Sequence, residues 1–417
     1  MKTKAVRLYG ANDLRLTEFE LPEIKDTEIL MRVVTDSLCT STYKAVKQGA
    51  SHKRVPNDVA QKPIIVGHEM CGEIVKVGAA LDGKWRVGQK VVVQPALKLE
   101  SNHDVGYSYP FIGGSATYAV VPEVVLERGC LIPYEGDSYF EGSLAEAFGC
   151  LIRGYKGMYH TDYSSYTRTD GAKRGGRLAI LGGTGPMGIG AVELATSYAG
   201  VKQVVVTGRS AEKLALAAEK SPVALAAQKG CELHYFNVLK SEDPVADLRR
   251  LSDGGFDDVL VMAPSPELFE LAQAICRFDG CINFFAGPAE QGMQGSLNLY
   301  RVHYDGLHVT GTAGGIPADM VDAIKLLEAK AVNAGALISH VLGLNAVIDT
   351  LFHLDEIGGA KKLCYNELDI PLIAIADLPE LGKSAPMYAR LAEIVAKNGG
   401  LWCAEAEAYL LAHAPRI

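Results

Sequence analysis

The sequence predicts an α/β protein with two domains: a barrel-like, mostly antiparallel β domain and a doubly wound domain built on a parallel sheet. Three observations support this prediction. The chain has 417 residues, which is more than one ordinary core accommodates. Short β-rich segments separated by turns fill its first third, as is typical of a barrel. From Arg177 onward, short apolar strands alternate with helical stretches, which indicates a parallel sheet with crossover helices.

The predicted strands follow from β-rich composition between turn residues. Those of the first domain are residues 5–8, 28–34, 71–78, 87–93 and 116–122. Those of the second domain are residues 178–181, 203–207, 258–262, 281–286 and 308–310. The polar residues 161–173 predict a loop or insertion before the second set. From Ser384 to the end, the pattern predicts two amphipathic helices, one with an apolar face of Met387, Leu391, Ile394 and Val395.

Composition excludes several classes of protein. The formal charge of −8 argues against nonspecific binding of nucleic acid, which needs a basic surface. Arg7 interrupts any signal-peptide core, and no apolar run is long enough to span a bilayer. The nine cysteines are odd in number and scattered, which favours reduced thiols over a disulfide framework. We therefore expect a cytoplasmic protein that binds neither nucleic acid nor membranes.

A glycine-rich turn joins the first strand of the second domain to its helix. The hexapeptide Gly-Thr-Gly-Pro-Met-Gly from Gly183 fits G-x-G-x-x-G, a weak pattern alone because the chain contains 44 glycines. Strand, turn and helix in that order make it specific, because they aim backbone N–H groups at a pyrophosphate. Gly183 would make the tight turn, Gly185 would let the phosphates approach, and Gly188 would let the helix pack closely. With Pro186 and Met187, these residues predict a Rossmann-type dinucleotide site; the alternative is a plain glycine-rich turn.

The end of the next strand indicates which dinucleotide binds. NAD sites usually place Asp or Glu about twenty residues after the glycines, where the carboxylate binds the ribose hydroxyls. Here Gly208, Arg209 and Ser210 follow the strand, and a guanidinium with a hydroxyl suits the 2′-phosphate of NADP. We therefore predict that NADP(H) is preferred over NAD(H). The alternative is that Arg209 is an ordinary solvated loop residue.

Four residues of the first domain are candidate metal ligands: Cys39, His68, Glu69 and Glu146. Zinc binds thiolate, imidazole and carboxylate, and a catalytic zinc site keeps one position open for water or substrate. Cys39 adjoins a strand-like run at residues 40–42, and Glu146 lies near the start of a predicted helix. No short ligand spacing joins the four, so spacing alone does not establish the site. Taken singly, Cys39 also suits a buried thiol and Glu146 a helix-end carboxylate.

The order of these motifs resembles that of the zinc-containing medium-chain alcohol and polyol dehydrogenases. The resemblance covers roughly residues 1–370. Within the family, the chain is most similar to the bacterial L-sorbose 1-phosphate reductases. The residues that carry the resemblance are Cys39, Gly67, His68, Glu69, Glu146 and the turn from Gly183, together with residues 63–69, Gly78 and residues 82–91.

The resemblance implies a domain organisation. Residues 1–153 would form the first part of a GroES-like catalytic domain, and residues 154–312 a Rossmann-type domain for the dinucleotide. Residues 313–417 would complete the catalytic domain and add a C-terminal helical extension. The family also implies a homo-oligomer, either a dimer or a tetramer.

The resemblance further implies a role for each site residue. Cys39, His68 and Glu146 correspond to the ligands of one catalytic zinc ion. Glu69 corresponds to a neighbour that approaches the metal or replaces a ligand, and Ser41 to a hydroxyl that faces the substrate. The histidine that ends the proton relay in relatives is Lys44 here, so the relay ends in Lys44 or in water. Residues 94–110 contain no cysteine, which excludes the four-cysteine structural zinc of many relatives.

The implied activity is reduction of L-sorbose 1-phosphate to D-glucitol 6-phosphate by NADPH, in a reversible reaction at zinc. The ion would polarise the ketone, and Ser41 would supply the proton. Three alternatives remain: a zinc dehydrogenase of an unphosphorylated polyol, a zinc-free quinone reductase, and a non-enzymatic nucleotide-binding protein. Four basic residues are possible partners of a substrate phosphate, but each is better interpreted as a solvated surface residue: Lys44, Lys53, Arg54 and Arg301.

Overall fold

The computed structural model describes residues 1–288 and 290–417. The first part of the chain forms β1 (Lys2–Gly10), β2 (Asp13–Glu20), β3 (Ile29–Leu38), β4 (Ile64–Ile65), β5 (Met70–Val77), β6 (Lys90–Val93), β7 (Tyr118–Val121) and β8 (Leu131–Pro133). The middle forms β9 (Tyr159–Asp162), β10 (Thr167–Asp170), β11 (Arg177–Leu181), β12 (Gln203–Gly208), β13 (Glu232–Asn237), β14 (Phe256–Val261), β15 (Cys276–Phe284) and β16 (His308–Gly311). The last part forms β17 (Ile338–Gly343), β18 (Lys361–Tyr365) and β19 (Ile373–Ala374).

The α-helices of the first half are α1 (Thr40–Gln48), α2 (Glu123–Glu127), α3 (Tyr139–Ser143), α4 (Ala145–Lys156), α5 (Pro186–Leu194), α6 (Ala211–Lys220), α7 (Val223–Gln228) and α8 (Pro244–Leu251). Those of the second half are α9 (Pro266–Ile275), α10 (Leu299–Tyr304), α11 (Pro317–Glu328), α12 (Val347–Phe352), α13 (Leu378–Leu381), α14 (Pro386–Lys397) and α15 (Ala404–His413). Among the described residues, no helix combines the length and apolarity needed to cross a bilayer.

The chain folds into two compact units. Unit 1 comprises Met1–Glu146, Ile316–Lys330 and Ile338–Ile417, and unit 2 comprises Ala147–Gly315 and Ala331–Leu337. The predicted boundary after residue 153 lies within α4, whereas the units divide at Glu146. Residues 331–337 return to unit 2, where the Ala331 carbonyl accepts a hydrogen bond from Ser197 Oγ at 2.7 Å.

Unit 2 contains a six-stranded parallel sheet in the order β13-β12-β11-β14-β15-β16. This is the order of a doubly wound dinucleotide-binding sheet, with the reversal between β11 and β14. The central strands β11, β12 and β14 are buried almost throughout, as apolar strands covered on both faces must be. The structure therefore confirms the predicted parallel-sheet domain.

Two elements of unit 2 differ from the predictions. Strand β13 was not predicted, because it pairs with β12 alone, stays partly exposed and has no continuous apolar run. The predicted loop at residues 161–173 contains most of an antiparallel hairpin of β9 and β10. All four residues of β10 are exposed, so the polar composition that indicated a loop belongs to a solvated strand. Backbone pairing rather than apolar burial defines this hairpin.

Unit 1 is built mainly from antiparallel strands. Its larger sheet follows the order β19-β17-β18-β3-β5-β6-β8, and β7 pairs with β3 outside this path. Every pair in it is antiparallel except β17 with β18. A smaller sheet of β2, β1 and β4 lies in the same unit. The mostly antiparallel domain is thus confirmed, with β17 and β18 making the larger sheet mixed.

Two local predictions for unit 1 differ from the structure. The strand predicted at residues 87–93 is present but begins only at Lys90, because Gly88 has φ +80° and ends a turn that leaves Val87 exposed. The strand-like run at residues 40–42 is the first turn of α1. Thr42 is buried there and its hydroxyl bonds to His68, so tertiary packing decides its conformation.

The C-terminal helices α14 and α15 belong to unit 1. Glu407 on α15 accepts hydrogen bonds from the backbone N–H groups of Tyr139 and Phe140, at 2.6 and 2.8 Å, where α3 begins. Burial raises the pKa of Glu407 to about 7, and these two N–H groups oppose the shift. Trp402 Nε1 donates to Tyr365 Oη at 2.8 Å, and both rings are buried. The extension therefore caps the helix that precedes Glu146 and packs on β18.

Candidate active site

The first candidate ligand, Cys39, is the residue before α1 and directly follows β3. Its backbone is extended, and residues 40–48 continue as helix, so the thiol lies at the positive end of α1. Ser41 in the first turn donates a hydrogen bond to Cys39 Sγ at 3.1 Å. The sequence thus places a sulfur and a hydroxyl together at one helix end.

The second and third candidates, His68 and Glu69, occupy the connection between β4 and β5. The buried Asp36 carboxylate fixes this connection: it accepts from the Glu69 backbone N–H at 3.1 Å and from Ser115 Oγ at 2.9 Å. Burial raises the pKa of Asp36 well above its usual range, while the Ser115 hydroxyl opposes that shift. Gly67 has φ +91°, a conformation that favours glycine. The loop is therefore defined by one carboxylate and one left-handed glycine.

Replacing Gly67 with alanine is expected to destabilise unit 1 by roughly 3 kcal/mol, because backbone strain adds to overpacking. A Cβ atom there would lie 2.1 Å from Asp36 Oδ2 and 2.7 Å from the Ser115 nitrogen. Urea unfolding followed by tryptophan fluorescence measures the loss. The control is Gly83→Ala, because Gly83 also has positive φ, at +75°, but nothing lies within 4 Å of its Cβ position. Equal destabilisation of the two variants would contradict the role of crowding at Gly67.

The side chains of Cys39, His68 and Glu69 converge. One ligand atom from each lies within 4.8 Å of the other two, and no second group of three such residues occurs in the described part of the chain. His68 Nδ1 lies 3.0 Å from Thr42 Oγ1, and Nε2 lies 3.2 Å from Ser41 Oγ. When Nδ1 carries the proton and donates to Thr42, Nε2 offers its lone pair to a metal. Thiolate, imidazole and carboxylate form the donor set that zinc accepts, so the residues fit that ion.

The electrostatics of this group also suit a divalent cation. Burial first, and then the Glu69 carboxylate, raise the pKa of the Cys39 thiol to about 12. Burial lowers the pKa of His68 to about 4, which keeps the imidazole neutral and able to bind a metal. The metal-free site therefore holds a protonated thiol, and binding of a cation would release that proton.

Lys361, which sequence analysis did not identify, is the counter-ion of Glu69. Its Nζ donates to both carboxylate oxygens, and the side chains of Lys361 and Glu69 are only 4% and 1% exposed. Burial alone would raise the pKa of Glu69, but the Lys361 ammonium, together with His68 and the Ser37 hydroxyl, holds that pKa below its usual range. The carboxylate is therefore charged, and it contacts a cationic side chain while its ligand atom lies within 4.8 Å of those of the two other candidate ligands.

Glu146 lies in the first turn of α4 and is buried. Its negative charge contributes to the raised pKa values of Cys39, Tyr107 and Lys361. Burial is the larger cause for Cys39 and Tyr107, whereas for Lys361 burial opposes the increase. It is not one of the three residues whose ligand atoms converge in the described structure. The structure thus groups Glu69, rather than Glu146, with Cys39 and His68. Glu146 as a zinc ligand remains a prediction.

A second residue that the sequence did not identify, Tyr107, extends the hydrogen bonds of Ser41. Tyr107 Oη donates to Ser41 Oγ at 2.8 Å and lies 3.4 Å from His68 Nε2. Lys44 lies one helical turn after Ser41, and its charge lowers the pKa of His52 after the larger effects of burial, Arg54 and Lys53. Lys44 as the end of a proton relay remains a prediction, whereas Tyr107 directly contacts Ser41.

The glycine turn of unit 2 connects β11 to α5, with Pro186 and Met187 opening the helix. Its left-handed residue is Gly182, with φ +70°, so the tight turn assigned to Gly183 begins one residue earlier. A Cβ at Gly188 would lie 2.0 Å from the Gly183 carbonyl oxygen, which demonstrates close helix packing. Nothing lies within 4 Å of a Cβ position at Gly185, so a phosphate has room to approach this N-terminal end of α5.

The residues predicted to select the dinucleotide follow β12. Arg209 is exposed, and the hydroxyl of Ser210 accepts from the Lys213 backbone N–H at 3.2 Å as the N-cap of α6. The cap occupies the acceptor role of that hydroxyl, while its proton remains available to a phosphate oxygen. Both predicted residues therefore lie at the C-terminal end of a central parallel strand, where dinucleotides bind in such sheets.

Of the site residues that were not predicted, the sequence carries a signal for Lys361 but none for Tyr107 or Asp36. Lys361 and Lys362 open a strand that is otherwise apolar and buried, and buried lysines are rare unless they are paired. That pattern was a usable signal for a partner carboxylate. No motif accompanies Tyr107, which lies outside the strands and helices, or Asp36, which lies within β3.

Comparison with known proteins matches two family models to successive parts of the chain. Residues 25–129 match the family model described as an alcohol dehydrogenase GroES-like domain, and residues 186–329 match the model of a zinc-binding dehydrogenase. The chain is 43% identical to the L-sorbose 1-phosphate reductase of Klebsiella pneumoniae, over 100% of this chain and 98% of the relative. The chain belongs to the family of zinc-containing medium-chain dehydrogenases. As such, the enzyme is an oxidoreductase that acts on CH–OH groups.

Other relatives of this dehydrogenase agree. It is 40% identical to the mannitol-1-phosphate 5-dehydrogenase of Aliivibrio fischeri, over 98% of this chain and 97% of the relative. The crystal structure of 2R,3R-butanediol dehydrogenase from Bacillus subtilis superimposes with a TM-score of 0.72 at 20% identity, covering 87% of this chain and 99% of that one. The medium-chain dehydrogenase fold predicted for both domains is thereby confirmed.

Proposed function

We propose that the enzyme reduces the ketone of a sugar phosphate with NADPH, converting L-sorbose 1-phosphate to D-glucitol 6-phosphate, and that it also catalyses the reverse reaction. The observation that carries this proposal is the convergence of Cys39, His68 and Glu69 in a chain with a dinucleotide turn. The relatives with 43% and 40% identity are both named for a sugar or polyol 1-phosphate, which supports a phosphorylated substrate.

One zinc ion would be held by Cys39 and His68 with carboxylate from Glu69 or Glu146. When bound, the ion supplies Lewis acidity to the ketone oxygen. Lys361 holds Glu69 in place and balances its charge, so the carboxylate does not leave an unpaired negative charge beside the thiolate. We propose no structural zinc, because residues 94–110 have no cysteine to bind one. The loop is instead held by Asp104, which accepts from the Leu97 backbone N–H at 2.9 Å.

Proton transfer is assigned to Ser41 and Tyr107. As hydride from NADPH adds to the carbonyl carbon, Ser41 Oγ donates a proton to the carbonyl oxygen. Tyr107 Oη, 2.8 Å away, returns a proton to Ser41, and the relay beyond this buried tyrosine ends in Lys44 or in water. The neutral His68 imidazole does not compete as an acid, because burial keeps its pKa near 4.

Oxidation of NADPH by a panel of ketoses tests this function. We expect the highest kcat/KM with L-sorbose 1-phosphate, a lower value with free L-sorbose, and loss of activity when the metal is removed. Equal efficiency with both sugars would favour the alternative of an unphosphorylated polyol. Full activity without metal would remove zinc from the proposal, and no turnover with any ketose would favour a non-enzymatic nucleotide-binding protein. The implied dimer or tetramer is a separate prediction that sedimentation analysis would check.

Arg209→Asp is expected to shift the cofactor preference toward NADH, because the carboxylate repels the 2′-phosphate and accepts from ribose hydroxyls. A lost charge-assisted contact corresponds to roughly 10- to 100-fold in KM for NADPH. The ratio of kcat/KM for the two reduced cofactors measures the shift. The control is Lys202→Asp, which makes the same charge change just before the opposite end of β12. Wild-type enzyme that uses NADH as well as NADPH would contradict the proposed preference.

A further inference from the structure

A group of basic side chains lies close to the candidate metal site, on the segment that follows α1. It consists of His52, Lys53 and Arg54, with Lys44 on α1 beside them. Burial and then the charges of Arg54, Lys53 and Lys44 hold the pKa of His52 down at about 4. All three cations therefore act on one imidazole ring. Arg54 is paired with Asp104, whose carboxylate lies 2.7 Å from Arg54 Nε.

Tyr107 connects this basic group to the reaction centre. The Arg54 guanidinium carbon lies 5.0 Å from the centre of the Tyr107 ring, and the His52 ring stacks on it at 5.8 Å. The same tyrosine lies 5.0 Å from the His68 ring and donates to Ser41. The basic group is thus adjacent to the atoms that would surround the substrate carbonyl.

Arg54 is held in a definite orientation. Asp104 binds its Nε, and the Ser108 hydroxyl donates to the Arg54 carbonyl at 2.6 Å. Because a guanidinium has five N–H donors in a rigid plane, pairing at Nε leaves terminal N–H groups for another acceptor. Lys53 precedes Arg54 in the chain, is exposed and carries a second positive charge on a flexible stem. A fixed guanidinium beside a flexible ammonium is suited to an anion with several oxygens, such as a phosphate.

We propose that Lys53 and Arg54, with positive charge added by Lys44, bind the phosphate of a 2-ketose 1-phosphate and select substrates with the phosphate next to the carbonyl. This inference rests on the proposed function. In such a substrate only a C–C, a C–O and an O–P bond separate the carbonyl carbon from phosphorus, a span of roughly 4 Å. A phosphate at the far end of the sugar lies several bonds further away. The position of the basic group beside Tyr107 therefore matches the nearer phosphate.

The test uses the zinc-loaded enzyme with D-fructose 1-phosphate, D-fructose 6-phosphate and free D-fructose. We expect the wild type to have the highest kcat/KM with the 1-phosphate. Lys53→Met should raise KM for that substrate roughly tenfold with a much smaller change in kcat. Arg54→Lys should act in the same direction, because it keeps the charge beside Asp104 but loses the planar fork. The control is Lys62→Met, which removes a cation paired with Asp58 on the same segment and should leave the ratio of 1-phosphate to 6-phosphate unchanged.

The outcomes separate this inference from the proposed function. A wild type that prefers the 1-phosphate, with an unchanged ratio in both variants, overturns the phosphate site and leaves the function standing. A preference for the 6-phosphate also overturns the site. If neither fructose phosphate is reduced faster than free fructose, the proposed function fails. Calorimetry with inorganic phosphate on NADPH-saturated enzyme then tests whether the phosphate site exists. Binding that is lost in Lys53→Met supports the site, whereas equal binding or none in the wild type overturns it.

Discussion

Replacing Cys39 with alanine is expected to lower kcat by about 10³-fold or more while leaving NADPH binding intact. The thiol is one of three converging ligand groups, so its removal should empty the metal site. The dinucleotide turn belongs to unit 2, whose sheet does not include Cys39. His68→Ala should give the same result. Steady-state turnover, zinc content and NADPH fluorescence titration measure the three quantities separately.

The matched control for Cys39→Ala is Cys403→Ala. Cys403 is also a partly buried free thiol that precedes a helix, but it adjoins α15 rather than α1. It should retain zinc and activity. A Cys39→Ala enzyme that retains both full zinc content and full turnover would contradict the assignment of this thiol to the metal site.

Replacing Lys361 with methionine is expected to lower the free energy of unfolding of metal-free unit 1 by about 3–5 kcal/mol. The substitution removes the ammonium that donates to both oxygens of Glu69 and leaves a buried carboxylate without its partner. Tryptophan fluorescence during urea unfolding is a suitable probe, since Trp85 and Trp402 both belong to unit 1. Added zinc should recover part of the loss, because a bound cation would again balance Glu69.

The double variant Glu69→Gln with Lys361→Met tests whether unpaired charge causes this loss. Removing both charges should restore most of the stability lost in Lys361→Met, because a buried ion pair often contributes little net stability over uncharged residues. If the double variant were less stable than Lys361→Met, packing of the lysine stem rather than the charge of Glu69 would be responsible.

Features that depend on neighbouring residues were predictable from sequence. The turn from Gly183 lies between a strand and a helix, as its pattern indicates, and the central strands of unit 2 carry continuous apolar runs. The C-terminal helices α14 and α15 show in the spacing of apolar residues. Local sequence failed where burial was uneven: the edge strand β13 and the exposed hairpin strand β10 have no clear apolar pattern.

Contacts between distant residues were not predictable. Glu69 and Lys361 are separated by 292 positions, and no local pattern relates them. The same holds for Tyr107, which meets Ser41 from 66 positions away. The conformation of residues 40–42 also depends on distant partners, because Thr42 packs against His68. Residue types therefore indicated a metal site, but which carboxylate joins Cys39 and His68 depends on the folded chain.

The pairing of Glu69 with Lys361 has a consequence for synthesis on the ribosome. Unit 2 is encoded almost entirely by one central stretch, Ala147–Gly315, whereas unit 1 needs Ile338–Ile417 as well as the N-terminal part. Domains generally begin folding as the nascent chain emerges. The carboxylate of Glu69 then waits for its counter-ion until Lys361 has been translated, 292 positions later. The main segment of unit 2 can fold first, whereas unit 1 is completed only after residues 338–417 have been translated.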